Sequence, residues 1–149
     1  MCRVDREVDR TGKCGMGVEA VVSAANLHHG EEPPLSGLRG SGTVFLAGCN
    51  LACRFCQNWP ISHLRHGEPA TARELAAMML ALERRGAHNI NFVTPTHFTP
   101  QIVEATALAR GEGLSVPLVW NCNGYERVET LRLLDGIVEI YLPDLKYAD

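Results

Sequence analysis

Four short, apolar, β-prone runs punctuate the later part of the chain, at 43–47, 89–93, 117–120 and 137–142, each bounded by Gly, Pro or Asn. Helical patterns fill the intervals. Thr71-Ala-Arg-Glu74 is a capping box, and Leu75, Met78, Met79 and Leu82 follow it at helical spacing until Gly86 ends the pattern. Thr99 as cap and Pro100 in the first turn open a second helix, with Ile102, Val103, Ala105 and Leu108 apolar before Gly111 and Gly113. A third, over 126–134, carries the stripe Val128, Leu131 and Leu134 and stops at Gly136. Strands alternating with helices predict an α/β fold, built by right-handed crossovers around a parallel sheet with helices over its outer face. Strands buried on both faces explain why the runs are almost unbroken in apolar character.

The first 42 residues have a different character: a Gly/Pro-rich leader, mostly irregular, with a short helix predicted over 18–27. Gly37-x-x-Gly40-x-Gly42 lies before a strand rather than between a strand and a helix, so it reads as a turn and not as a dinucleotide fingerprint. The chain therefore divides into a leader at 1–42 and a β/α region at 43–149.

In barrels and curved sheets of this kind, reactive groups gather where the strands end at their carboxyl side. The four runs end in the Cys49 loop, in Thr94-Pro95-Thr96-His97, in Asn121-Cys122-Asn123-Gly124 and in Pro143-Asp144-Leu145-Lys146. The first is the strongest chemical statement. Cys49, Cys53 and Cys56 follow a Cys-x3-Cys-x2-Cys spacing, and thiolates so close in sequence can converge on one centre that favours iron–sulfur clusters, zinc or copper(I). A cubic cluster held by three protein thiolates leaves one iron open to a small molecule, as catalytic zinc sites leave a position open. The alternative is structural zinc completed by His63, His66 or Cys122, although zinc sites usually use paired Cys-x2-Cys units. A disulfide framework is disfavoured by the clustering of the cysteines and by the lack of a secretory signal pattern.

Composition narrows the remaining classes. With 149 residues and 46% hydrophobic content the chain can bury one core. A net charge of −3 gives no basic field for nucleic acid. The polar start, and the lack of an apolar stretch near the roughly 20 residues that span a bilayer, predict a cytosolic chain with reduced thiols and no membrane partner.

The cysteine loop, with Phe55 before its last cysteine and set after the first strand of a repeated β/α unit, resembles that of the radical S-adenosylmethionine (SAM) enzymes. Gly48-Cys-Asn-Leu-Ala-Cys-Arg-Phe-Cys-Gln-Asn58, the Asn-Gly after the third run and Asp-Leu-Lys after the fourth are similar to the pyruvate formate-lyase activating enzymes. Leu-His-His-Gly-Glu-Glu-Pro-Pro-Leu-Ser-Gly, Gly-Ala-His-Asn-Ile-Asn and Thr-Pro-Thr-His resemble an uncharacterised, activating-enzyme-related branch. The resemblance implies a partial (β/α) barrel of the radical SAM type, with a 4Fe-4S cluster on Cys49, Cys53 and Cys56 and S-adenosylmethionine chelating the fourth iron. It implies that Phe55 flanks the adenine and that Gln57 and Asn58 flank the cluster rim. Asn121, Asp144 and Lys146 then line the cofactor or a nearby cation. Partners implied are an electron donor of the flavodoxin or ferredoxin type and a protein substrate carrying a glycyl-radical site.

Two departures stand out. Activating enzymes typically carry Gly-Gly-Glu after the second strand to hold the amino group of S-adenosylmethionine; here Thr94 and Thr96 offer hydroxyls in that place, and Pro95 removes a donor. Asn121 stands where an aspartate is common. The resemblance also implies a barrel truncated to about four of the usual six β/α units, whose open edge predicts poor stability or inactivity of this segment alone. Cys2 and Cys14 resemble part of a cysteine-rich leader able to bind a further metal.

Overall fold

The computed structural model describes residues 4–8 and 11–146. In chain order the elements are β1 (Ala20–His28), α1 (Pro33–Ser36), β2 (Ser41–Leu46), α2 (Trp59–Ser62), β3 (Glu68–Ala70), α3 (Ala72–Arg84), β4 (Ile90–Val93), a single 3₁₀ turn (Thr96–Phe98), α4 (Thr99–Gly111), β5 (Leu118–Cys122), α5 (Val128–Leu133) and β6 (Ile140–Pro143). One six-stranded sheet has the order β3-β1-β2-β4-β5-β6. β2, β4, β5 and β6 are the four expected strands and run parallel to one another. This is the α/β architecture expected from the alternation of strands and helices.

The leader behaves differently from its composition. The helix predicted over 18–27 is instead β1, paired antiparallel with β2 from Val22↔Leu46 to His28↔Ser41. Its alanines favour a helix, but Val21 and Val22 suit a pleated surface and the ladder offered by β2 overrides that propensity. β3, which carries Pro69, pairs antiparallel with β1 at the sheet edge, where a missing donor is tolerated.

In-register parallel pairing aligns Val44, Phe92 and Trp120 across β2, β4 and β5. All three are fully buried, on the face covered by Leu75, Met79 and Leu82 of α3 and Ile102, Ala105 and Ala109 of α4. Gly42 permits the close approach of α3, since a Cβ there would meet the Ala87 Cβ at 2.9 Å and the Leu82 Cβ at 3.1 Å. The other face presents Thr43, Phe45, Asn91, Val93 and Asn121. No helix among the described residues is long and apolar enough to cross a membrane.

Helix ends follow local chemistry with two differences. Phe98, not Thr99, caps α4, because the 3₁₀ turn runs straight into the helix; the Thr99 hydroxyl donates to the Thr96 carbonyl at 2.8 Å. α5 is shorter than expected and leaves Val128 and Leu131 exposed; Leu134, just past its end, is the part of that stripe that reaches the core. The capping box of α3 is complete, with Glu74 N–H donating to the Thr71 hydroxyl at 3.2 Å and Thr71 N–H donating to the Glu74 carboxylate at 2.8 Å. Thr71→Ala should therefore cost about 1 kcal/mol, read as a lower urea midpoint at constant slope. An unchanged midpoint would contradict the cap.

Candidate functional site

The carboxyl ends of β2, β4, β5 and β6 open onto a cavity of about 720 Å³. Cys49, Cys53 and Cys56 line it, together with Phe55, Gln57 and Asn58 from the same loop. Thr94 reaches it from the end of β4, Asn121 from β5, and Asp144 and Lys146 from the segment that leaves β6. Thr96 stands apart, its hydroxyl donating to the Glu126 carboxylate. Phe55 is 64% exposed, so it is not a core residue. Asp144 and Lys146 form an ion pair with each other.

The cysteine loop is shaped by backbone conformation. Gly48 has φ +77°, and a Cβ there would meet the Met16 Cγ at 2.6 Å and the Cys14 carbonyl at 2.9 Å. Inside the loop Ala52 takes φ 50°, and Cys56 N–H donates to the Cys53 carbonyl at 3.2 Å. Donors are aimed at the sulfurs. The Cys49 Sγ accepts from Leu51 N–H at 3.4 Å and from the Asn123 amide at 3.8 Å, and the Cys56 Sγ accepts from the Ser62 hydroxyl at 3.2 Å. Such donors orient ligating sulfurs and tune the potential of clusters held by them. Asn123 also donates to Asn50 Oδ1 at 2.8 Å, so the Asn-Gly turn after β5 is fastened to the cysteine loop as well as reversing the chain.

Three thiols on one loop, facing one cavity and supplied with sulfur-directed donors, fit a thiolate-held cluster in kind and in placement. Among the described residues no group of three or more His, Cys, Asp and Glu side chains is gathered to hold a metal ion. The zinc alternative gains nothing over this. His63 stacks on Trp59 at 3.6 Å and shares a 2.7 Å hydrogen bond with Ser62. Burial pushes the Cys122 thiol up to about 12, which keeps it protonated near neutral pH. Cys14 is buried, with the Arg6 guanidinium 3.4 Å from its sulfur, and Cys2 lies outside the described residues.

Thr94 adopts φ 57°, a left-handed conformation that is uncommon for a β-branched residue, and its N–H donates to the Asn121 carbonyl at 2.9 Å. Such strain, on the order of 1–3 kcal/mol, clusters at ligand sites. Glycine would adopt this turn without cost. Sequence reasoning assigned no site role to Ser62, or to His28, Glu31 and Glu32, which also line the cavity or touch its sulfurs. The Leu-His-His-Gly-Glu-Glu run was visible as a likeness, but only the antiparallel pairing of β1 brings it to the site.

His97 is structural. It is buried, its Nε2 shares a 2.7 Å hydrogen bond with the Ala47 carbonyl, and burial lowers its pKa to about 4 against the ordinary value of about 6.5. A depressed histidine lets the unfolded chain bind the proton first, so stability falls as pH drops from about 6.5 toward 4. Between about pH 7.5 and 5 the loss of stability should be smaller by roughly 2 kcal/mol in His97→Gln than in the wild type. Parallel losses in urea titrations of the two proteins would refute the assignment.

Residues 43–147 match the family profile described as the Radical SAM superfamily. An uncharacterized protein of Methanocaldococcus jannaschii is 36% identical over 155 residues, an alignment covering 99% of this chain and 44% of that protein. The chain thus spans less than half the length of that relative. No solved structure matches the chain.

Proposed function

Because the chain belongs to the radical SAM superfamily, we propose that it holds a 4Fe-4S cluster on Cys49, Cys53 and Cys56 and cleaves S-adenosylmethionine reductively. The observation that supports this most is the convergence of the three-cysteine loop and the ends of four parallel strands on one cavity. Held by Cys49, Cys53 and Cys56, such a cluster would supply the one electron for cleavage of the sulfonium to methionine and a 5′-deoxyadenosyl radical, which would take a hydrogen atom from substrate to leave 5′-deoxyadenosine and a substrate radical.

The chain's own residues bind and orient. Asn123 and the Leu51 N–H hold the Cys49 sulfur in place, and Ser62 holds that of Cys56. Phe55, exposed at the mouth, offers a ring face to the adenine. Gln57 and Asn58 border the cluster position. The Thr94 turn is our candidate for the cofactor's amino end, supported by its left-handed backbone at the cavity and by Asn121 beside it; Asp144 and Lys146, paired with each other, line the same cavity. The electron comes from a flavodoxin- or ferredoxin-type donor. Likeness to the pyruvate formate-lyase activating enzymes supports, as the narrower reading, a glycine in a partner protein as hydrogen donor.

Anaerobically reconstituted protein with dithionite should form 5′-deoxyadenosine from S-adenosylmethionine, followed by chromatography. Cys53→Ala should lower this at least about a hundredfold, since a lost metal ligand removes the open-cornered cluster itself. A wild-type protein that takes up four irons yet yields no 5′-deoxyadenosine would leave a structural cluster as the correct reading.

A further inference from the structure

One of the sulfur donors is itself held by a chain of side chains. Ser62 closes α2, and its hydroxyl donates to the Cys56 Sγ at 3.2 Å. The same oxygen shares a 2.7 Å hydrogen bond with His63 Nδ1. His63 in turn lies flat on Trp59, four residues earlier, with ring centroids 3.6 Å apart and planes inclined by 11°. Cys56 and Ser62 line the cavity, whereas His63 and Trp59 do not.

Backbone contacts anchor this chain. Ser62 N–H donates to the Asn58 carbonyl and His63 N–H to the Trp59 carbonyl, each at 2.9 Å. Gly48 N–H donates to the Ile61 carbonyl at 2.9 Å, which ties α2 to the residue before Cys49. The stack on Trp59 sets the plane of the His63 ring, and the hydrogen bond sets which edge of that ring faces Ser62.

Valence decides the direction of each bond once Cys56 ligates a metal. A ligating cysteine is a thiolate without a hydrogen, so its sulfur can only accept. A serine hydroxyl has one hydrogen to give, and here it goes to the sulfur. The contact with His63 therefore takes its hydrogen from Nδ1, and Ser62 accepts on one side while donating on the other. Hydrogen bonds linked in this way strengthen one another. Reduction adds negative charge to a cluster, so a donor aimed at a ligating sulfur stabilises the reduced form and raises the potential.

We propose that His63, held by Trp59, is a positioning residue for the cluster: through Ser62 it fixes the hydrogen bond to Cys56 and raises the reduction potential of the centre. The inference rests on the three-cysteine cluster proposed above. It gives a role to two aromatic rings that reach the sulfur only through Ser62.

The test is a potentiometric titration of the anaerobically reconstituted chain, followed by electron paramagnetic resonance, with iron content measured alongside. Ser62→Ala should keep its iron but reduce about fivefold less readily, as for one net hydrogen bond, a fall of roughly 40 mV at about 59 mV per decade for one electron. Ser62→Thr retains the hydroxyl and should keep the wild-type potential. His63→Phe retains a ring for the stack but no donor, and should lower the potential by a smaller amount. Combining Ser62→Ala with His63→Phe should give the potential of Ser62→Ala alone, because His63 acts only through Ser62. If Ser62→Ala takes up no iron, His63→Phe decides. An unmoved potential in Ser62→Ala or in His63→Phe, or additive shifts in the double variant, would overturn the proposal. A potential that ignores these changes leaves the cleavage reaction standing, whereas a cluster that obeys them without forming 5′-deoxyadenosine leaves the role of His63 standing.

Discussion

Parallel pairing in register sets Val44, Phe92 and Trp120 side by side on one face of the sheet, and by the same geometry sets Phe45, Val93 and Asn121 side by side on the other. The first face is sealed by α3 and α4 and supplies most of the buried apolar surface. The second is left to the cavity. A slip of one residue in any of these strands would exchange the faces, bringing Thr43 and Asn91 under the helices and turning Phe92 and Trp120 into the cavity. The site therefore depends on register before it depends on any functional side chain.

Local strain is concentrated where this sheet meets the site. Ala52 and Thr94 take left-handed conformations at the cysteine loop and at the end of β4, and Arg65 does so shortly before β3. Sulfur-directed donors and the Asn123 bridge hold the loop against the end of β5.

Much of this was legible in the sequence, and the gaps have physical causes. Capping chemistry is local, so Thr71 and Glu74 declared α3 directly. Buried parallel strands are unbroken apolar runs, so β2, β4, β5 and β6 were visible to within a few residues. β1 was misjudged because its alanines are ambiguous and its state is decided by a partner strand. β3 was missed because an edge of three residues around Pro69 has no periodicity to detect. At the site, spacing singled out the cysteines, while family likeness put Thr96 beside the cofactor; its hydroxyl turns to Glu126. Glu31 lines the cavity from a segment far in sequence from β4, β5 and β6, and only the sheet brings it there.

The central claim is that three thiolates of one loop hold a cluster with an iron left open for S-adenosylmethionine. Electron paramagnetic resonance on the anaerobically reconstituted, reduced protein tests it most directly. The account predicts a reduced 4Fe-4S signal whose g values shift when S-adenosylmethionine is added, with both the signal and its response lost in Cys53→Ala. A zinc-loaded protein without the signal, or a cluster whose spectrum is indifferent to S-adenosylmethionine, would contradict it.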